Sequence, residues 1–220
     1  MQAPVWRLPK KEIIKLAKWR CQHSHSGLEH YSCYLKENTD KERVGFLDIE
    51  ASNLEADFGI VLCYCIADLD SDRVQSRVIT KHELSTVLDK NVVEQCIKDM
   101  GNYDRLWGYY SSNFDIPFLR TRAVALQLSF PEYGILYHND LYYLIRNKFK
   151  LSRNRLDNAC VSLLGNTSKT RITSEHWIKA LQGNKDSLDY IQTHCREDVL
   201  ELKRLYERVI KYRKIADTSI

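Results

Sequence analysis

The sequence predicts an α/β fold in which a mixed β-sheet is flanked by helices and preceded by a small N-terminal extension. The strands are predicted from apolar stretches that either alternate with polar residues, with a period of two, or are continuously apolar, as in buried strands. These runs occupy 44–52, 58–68, 73–80 and 105–110. The helices are predicted from apolar residues at helical spacing, which occur in 83–100, 114–128, 139–149, 155–164, 174–182 and 186–215. Three strands followed by helix–strand–helix and further helices is an order typical of a mixed sheet.

The chain divides into two parts of different composition. Residues 1–43 contain a short helix over about 9–20, a Cys- and His-rich stretch over 21–33 and a polar run. Residues 44–220 contain every predicted strand and the remaining helices, so we expect one main domain there with 1–43 as an extension. At 220 residues, with 44% apolar and 28% charged, the chain can bury a substantial core.

Composition also narrows the setting in which the protein works. The longest apolar run, 59–67, is too short to cross a bilayer, and the N-terminus lacks the uninterrupted apolar region of a secretion signal. Seven cysteines are an odd number and argue against a disulfide scaffold. The sequence therefore predicts a cytoplasmic protein with no membrane partner.

The charge distribution gives a first indication of the substrate class. The net charge of +4 is only a mild bias toward polyanions, but residues 146–155 contain five basic residues and no acidic one. This segment is either a solvated loop or a surface that faces phosphates. The second interpretation gains support if a nucleic-acid site lies beside it.

Two acidic residues share one face of the first predicted strand. Because side chains alternate along a strand, Asp48 and Glu50 in "VGFLDIEAS" point to the same side, with Cα atoms roughly 6–7 Å apart. Carboxylates this close repel each other unless a cation lies between them or one is protonated. The plain alternative is an edge strand with a solvated face, but the apolar flanks are those of a central strand.

Two further acids are predicted on helices. Asp115, in "NFDIPFLRTRA", opens a helix, where its charge stabilises the helix dipole without excluding metal binding. On the wheel of the last helix, Asp198 lies roughly 50° from the centre of the apolar stripe, His194 about 90° and Glu197 about 150°. We therefore expect Asp198 to face the protein, His194 to lie on its flank and Glu197 to face water. A buried Asp without a basic neighbour needs another positive partner.

A metal shared by all four carboxylates would supply that partner. Carboxylates from a strand, a helix start and a distal helix suit hard divalent ions, which prefer oxygen ligands. Two such ions about 3.5–4 Å apart activate a water and stabilise the leaving oxygen of a phosphodiester. A nearby His can take the proton of the attacking water. The pattern predicts hydrolysis that depends on two Mg²⁺ or Mn²⁺ ions.

Three stretches also resemble a known family. "FLDIEAS", "NFDIPFLRTRA" and "HCREDV" are similar to the three exonuclease motifs of the DEDD 3′–5′ exonuclease superfamily, which has the ribonuclease-H-like fold. Residues 138–202 resemble the second half of its predicted prokaryotic and phage ribonuclease-H-like branch, and the whole resemblance spans roughly 44–210. It implies four metal ligands and a general base: Asp48, Glu50, Asp115 and Asp198 as ligands, and His194 as the base.

The resemblance leaves two residues to interpret separately. His194 lies four positions before Asp198, a spacing at which the superfamily's Tyr type has a tyrosine. Asp140, in "HNDLYYL", opens a predicted helix, and we interpret it as a structural cap.

The N-terminal extension contains a second candidate metal site. In "RCQHSHSGLEHYSC", a Cys-x-His or Cys-x₃-His pair precedes His-x₂-Cys, which could give a tetrahedral zinc site. We expect Cys21, His25, His30 and Cys33 as the ligands and a structural role for the ion. Solvated His residues in a loop are the alternative.

The hypothesis that these patterns favour is a 3′–5′ exonuclease acting on single-stranded DNA or RNA ends. Endonucleolytic cutting of structured or hybrid substrates is one alternative, since a fold does not fix the end requirement. A non-catalytic nucleic-acid-binding module is the other. Candidates for substrate contacts are basic or aromatic side chains near the motifs: Arg120, Arg122, Lys169, Tyr109, Tyr110 and Trp177.

Overall fold

The computed structural model of the chain describes residues 10–37, 42–167 and 170–213. Its centre is a five-stranded sheet. The strands are β1 (Val44–Ala51), β2 (Val61–Asp68), β3 (Val74–Val78), β4 (Arg105–Gly108) and β5 (Tyr137–Asp140). The sheet is mixed, which confirms the predicted class: β1 is antiparallel to β2 and parallel to β4, while β3 and β5 form the edges.

Helices precede, connect and cover the strands. They are α1 (Lys10–Lys18), α2 (Tyr31–Glu37), α3 (Lys81–Ser85), α4 (Lys90–Met100), α5 (Asp115–Ala125), α6 (Leu141–Lys148), α7 (Leu156–Leu164), α8 (Ser174–Leu181) and α9 (Lys185–Val209), with a 3₁₀ turn over Ile210–Tyr212. Among the described residues, no helix is long and apolar enough to cross a membrane.

The two faces of the sheet are buried by different helices. On one face, the Tyr64 hydroxyl of β2 donates to Asp99 of α4. On the other face, the Cys65 thiol of β2 donates to the Gln192 carbonyl of α9. Since neighbouring residues of a strand point to opposite faces, α4 and α9 cover the sheet from opposite sides. The core therefore lies in two layers, and β1 is central to both.

The structure differs from the sequence prediction at the second sheet edge. The prediction missed β5, because "YHND" is short and half polar and has no apolar period. Pairing with β4 forms this strand, and its register places Asp140 beside Gly108.

The predicted helix over 83–100 is in fact two helices, α3 and α4. Asp89 in the connecting turn points inward, where it accepts a hydrogen bond from the Val61 N–H (3.0 Å) and forms a buried ion pair with Arg122 (2.6 Å). Leu88, just before it, has a left-handed φ of 52°. A tertiary ion pair thus interrupts a stretch that has helical spacing.

The N-terminal helix α1 is attached to the main body by backbone and charge contacts. The Lys11 N–H donates to the Gly134 carbonyl (2.9 Å), and the Lys11 ammonium binds Asp104 (2.7 Å). Burial would raise the pKa of Asp104, but hydrogen bonds from Arg43 and Lys11 hold it well below its usual range. These contacts lie at the start of β4 and before β5. The division of the chain at residue 43 stays a prediction.

Candidate active site

Strand β1 presents Asp48 and Glu50 to the face that α9 covers. Their partners on β2 are Cys65 and Cys63, and the Cys195 thiol of α9 donates to the Asp48 carbonyl at 3.4 Å. These three cysteines are fully buried, and all seven cysteines of the chain are free. Small side chains at the contact let the helix lie close to the strand.

Two of the buried thiols under the site, those of Cys63 and Cys195, favour their uncharged form. Burial, together with hydrogen bonds from the Cys195 thiol to Cys63 and Cys65, raises the pKa of Cys195 well above its ordinary value. The pKa of Cys63 is raised mainly by burial as well. The negative charge of this region therefore comes from its carboxylates alone.

Helix α9 brings His194 and Asp198 to Glu50. The His194 Nε2 atom is 3.7 Å from Glu50 Oε1 and 3.8 Å from Asp198 Oδ2. One ligand atom from each of these three residues lies within 4.8 Å of the others. On the opposite edge of the ring, Nδ1 is 2.7 Å from the Thr170 hydroxyl. The imidazole is thus fixed between a hydroxyl and two carboxylates, and sequence reasoning did not find Thr170.

Glu197 does not face water as the helical wheel predicted. It is half-buried, and its Oε2 atom is buried completely. The segment before α8 lies along this flank of α9, where Thr170 contacts His194 and the Thr167 hydroxyl donates to Glu201. A helical wheel cannot show such a segment, because it contains no information about neighbouring chain.

Asp115 reaches the site from the start of α5. Its Oδ1 atom accepts a hydrogen bond from the Ile49 N–H at 2.9 Å, so the carboxyl is attached to β1 between Asp48 and Glu50. Burial raises the pKa of Asp115 to about 7; the hydrogen bond from Ile49 opposes this rise, and the charges of Asp140 and Asp198 add to it.

The turn between β4 and α5 requires glycine at its first position. A Cβ atom on Gly108 would lie 2.0 Å from the Ser111 hydroxyl oxygen, closer than any real contact. Ser111 is completely buried there, 2.9 Å from His138 Nε2, and its carbonyl accepts from the Ile116 N–H. Burial lowers the pKa of His138 to about 4, which keeps this imidazole neutral. The turn thereby sets the position of Asp115.

Asp48 and Asp198 open into a cleft of about 500 Å³. Aromatic residues and the end of the basic segment 146–155 form its other walls. The lining residues beyond the two carboxylates are Tyr109, Tyr110, Tyr142, Asn154, Arg155, Leu156 and Asp157. The last two residues of the basic segment, Asn154 and Arg155, therefore lie in the same cleft as the carboxylates, which is the context in which we expected the segment to face phosphates.

Asp140 holds the aromatic wall of this cleft in place. Its carboxylate accepts hydrogen bonds from the backbone N–H groups of Tyr110 (2.8 Å), Ser112 (2.9 Å) and Tyr142 (3.0 Å). It caps α6, as we interpreted it, and also stabilises Tyr110 at a left-handed φ of 64°. Burial raises the pKa of Asp140. Tyr110 remains 47% exposed at the rim of the cleft.

The basic residues that we expected to contact the substrate differ in their surroundings. Arg122 is engaged by Asp89 in the buried ion pair, so its guanidinium is not presented to a ligand. Arg120 is exposed, with its guanidinium 5.5 Å from the centre of the Phe130 ring. Lys169 lies outside the described residues. Arg155, at the start of α7, is the basic side chain that lines the cleft.

The N-terminal Cys/His stretch forms a separate cluster. Ligand atoms of Cys21, His23, His25 and His30 lie within 4.8 Å of one another. Cys33, which we expected as the fourth ligand, does not belong to this group, and His23 takes its place.

The donor set of the carboxylate site fits hard divalent ions. Oxygen atoms predominate: Glu50 and Asp198 meet at the imidazole, Asp48 faces the same cleft, and Asp115 is attached to the strand between Asp48 and Glu50. Mg²⁺ and Mn²⁺ prefer such oxygen ligands, and they would relieve the repulsion among these acids.

Comparison with known proteins gives the family. Residues 45–210 match the sequence model of the RNase_H superfamily. The chain belongs to the RNase_H superfamily. Among solved structures, the chain is similar to the family B DNA polymerase from the hyperthermophilic archaeon Pyrobaculum calidifontis, with a TM-score of 0.59 and 19% sequence identity. No curated protein matches the chain.

The structural match confirms the ribonuclease-H-like fold. The match covers 76% of the present protein but only 25% of the polymerase chain. The chain therefore spans about a quarter of that polymerase's length, and at this level of identity the similarity concerns the fold alone.

The raised pKa of Asp115 predicts a pH effect on the metal-free protein. Between about pH 4 and pH 7 the unfolded Asp115 ionises while the folded one keeps its proton, so stability falls as pH rises through this window. We predict that Asp115→Asn, in chelator, has little effect on the melting temperature near pH 4 and raises it at pH 8. The exposed Asp57→Asn is the control. Equal differences between Asp115→Asn and wild type at every pH would contradict this account.

Proposed function

We propose that the protein is a divalent-metal-dependent 3′–5′ exonuclease of the DEDD type that acts on single-stranded DNA or RNA ends. One observation carries the proposal: Glu50 of β1 and Asp198 of α9 meet at His194, beside a cleft that also exposes Asp48. Membership in the RNase_H superfamily supports a hydrolytic nuclease. The end specificity and the DEDD assignment rest on the three sequence motifs.

The four carboxylates would hold the metal ions. By the family resemblance, Asp48 would serve both ions, Glu50 and Asp198 would complete one site, and Asp115 would serve the other. Mg²⁺ or Mn²⁺ bound there supplies stabilisation of the charge that develops on a phosphodiester during attack by water. Asp115 must lose its proton to act as a ligand, since burial favours its neutral form in the metal-free chain.

His194 would take the proton of the attacking water. Its Nε2 atom points between Glu50 and Asp198, and the gaps of 3.7 and 3.8 Å are too long for direct hydrogen bonds. Thr170 holds the opposite nitrogen and fixes the plane of the ring. The two carboxylates would also stabilise the imidazolium that forms.

The walls of the cleft favour a single strand over a duplex. Tyr110 and Tyr142 have ring centroids 5.0 Å apart at the rim, and unpaired bases stack on such rings. Arg155 lines the same cleft and would contact a backbone phosphate. The hydrogen bond that the Tyr110 N–H donates to the Asp140 carboxylate would keep this stacking surface in place, so that ordering it costs nothing at binding.

Substitution of Asp48 tests the nuclease proposal. We predict that Asp48→Asn abolishes hydrolysis of a 5′-labelled single-stranded oligonucleotide in Mg²⁺ or Mn²⁺, because the side chain loses the negative charge with which it would bind the metal ions. Asp57→Asn, in an exposed position, should retain full activity. Laddering from the 3′ end supports an exonuclease, whereas cleavage of circular strands supports an endonuclease. If wild type bound the oligonucleotide but did not hydrolyse it, the result would support a non-catalytic nucleic-acid-binding module instead.

Substitution of His194 tests its role separately from metal binding. We predict that His194→Ala lowers turnover by about 10²–10⁴-fold, the usual contribution of a positioned general base, with little change in the half-saturating Mn²⁺ concentration. The exposed His82→Ala on α3 is the matched control. Unchanged turnover would show that another group takes the proton. Recovery of turnover at high Mn²⁺ would instead make His194 a metal ligand.

A further inference from the structure

The loop between α1 and α2 places four metal-ligating side chains together, away from the carboxylate site. The Cys21 Sγ atom is 3.8 Å from His23 Nδ1 and 3.6 Å from His30 Nδ1. His25 completes the group, with its ring centroid 4.6 Å from that of His30. A tetrahedral zinc ion with Zn–S of about 2.3 Å and Zn–N of about 2.0–2.1 Å separates sulfur and nitrogen ligands by about 3.6 Å. The two observed sulfur–nitrogen distances are close to this value.

Backbone hydrogen bonds build this arrangement without any contribution from the main sheet. The Cys21 N–H donates to the His25 carbonyl (3.0 Å), and the Ser24 N–H donates to the Cys21 carbonyl (2.8 Å) in a turn where Ser24 has a left-handed φ of 65°. The His30 N–H donates to the Ser26 carbonyl (2.9 Å) just before α2. Two successive turns therefore direct the four side chains to one point.

We propose that Cys21, His23, His25 and His30 bind one zinc ion. One thiolate and three imidazoles are ligands that zinc prefers, whereas Mg²⁺ and Mn²⁺ prefer oxygen. The nearest acid on this loop, Glu29, is engaged by the N–H and hydroxyl of Ser26, both at 2.8 Å. Four protein ligands leave no open position, so the ion is structural.

The zinc ion would stabilise the N-terminal extension. Gly27 packs so closely on α1 that a Cβ atom there would lie 2.8 Å from the Leu16 side chain, and the Gly27 N–H donates to the Leu16 carbonyl (2.9 Å). Trp19 and Tyr34 add an edge-to-face contact at 5.4 Å. Such a small apolar contact gains stability from a metal that crosslinks the loop joining the two helices.

The zinc site is also separate from the carboxylates. Through Lys11, α1 contacts Asp104 and Gly134, at the beginning of β4 and before β5. Asp115 follows the end of β4, and Asp48 and Glu50 lie in the last half of the parallel strand β1. The extension thus attaches near the beginning of the parallel strands, whereas the carboxylates lie toward their ends. Zinc binding and Mg²⁺-dependent hydrolysis can therefore be measured independently.

Zinc content of the purified full-length protein tests the proposal. We expect about one zinc per chain in wild type after dialysis, and less than about a tenth of that in Cys21→Ser and His23→Gln. Cys33→Ser is the matched control and should keep its zinc, because Cys33 lies outside the group. Absence of zinc from wild type, or its retention in His23→Gln with loss in Cys33→Ser, would overturn the assignment.

Two measurements keep the test valid if a variant folds poorly. Wild type reconstituted with Co²⁺ should show the visible absorption of tetrahedral cobalt together with one thiolate-to-cobalt charge-transfer band, and a spectrum of octahedral cobalt would overturn the proposal. A chelator that removes zinc should lower the melting temperature of wild type and of Cys33→Ser, but not that of His23→Gln. Equal shifts in all three proteins would contradict a zinc site that includes His23.

Discussion

Repulsion among carboxylates around a central strand is the constraint on which the rest of this structure depends. Asp48 and Glu50 lie on β1, which has paired strands on both sides, and α9 brings Asp198 to the same face. Asp115 is buried against the backbone between the first two. Charges so placed in a region of low dielectric are costly unless cations neutralise them. In our proposal the metal ions neutralise the carboxylates. The same positive charge stabilises the folded chain and the negative charge that develops on the phosphodiester during hydrolysis.

The surroundings of the carboxylates serve to hold them at this spacing. Cysteines rather than larger residues separate α9 from β1 and β2, and burial raises the pKa of the Cys63 and Cys195 thiols. Gly108 and Ser111 form the turn that directs Asp115 inward. Asp140, which caps α6, also holds Tyr110 at the rim of the cleft. Each of these residues acts on the position of a neighbour, and none of them carries the proposed chemistry.

Local periodicity predicted much of this arrangement, and the misses share one cause. The strand period predicted that Asp48 and Glu50 share a face, and the helical wheel predicted an inward Asp198. Contacts between segments distant in the sequence were not accessible in this way: Asp89 and Arg122 form an ion pair where one helix was predicted, and Thr170 contacts the ring of His194. At the N-terminal Cys/His cluster, spacing alone favoured Cys33, but the structure brings His23, beside the tight turn at Ser24, to the group instead.

Direct observation of metal ions at the carboxylates is the most decisive test of this account. Crystals of the full chain soaked in Mn²⁺ should give anomalous scattering peaks among Asp48, Glu50, Asp115 and Asp198, and Asp48→Asn should lose them. The account would be contradicted if wild type showed no manganese at these four side chains. It would equally be contradicted if a Lys or Arg side chain occupied the space among them.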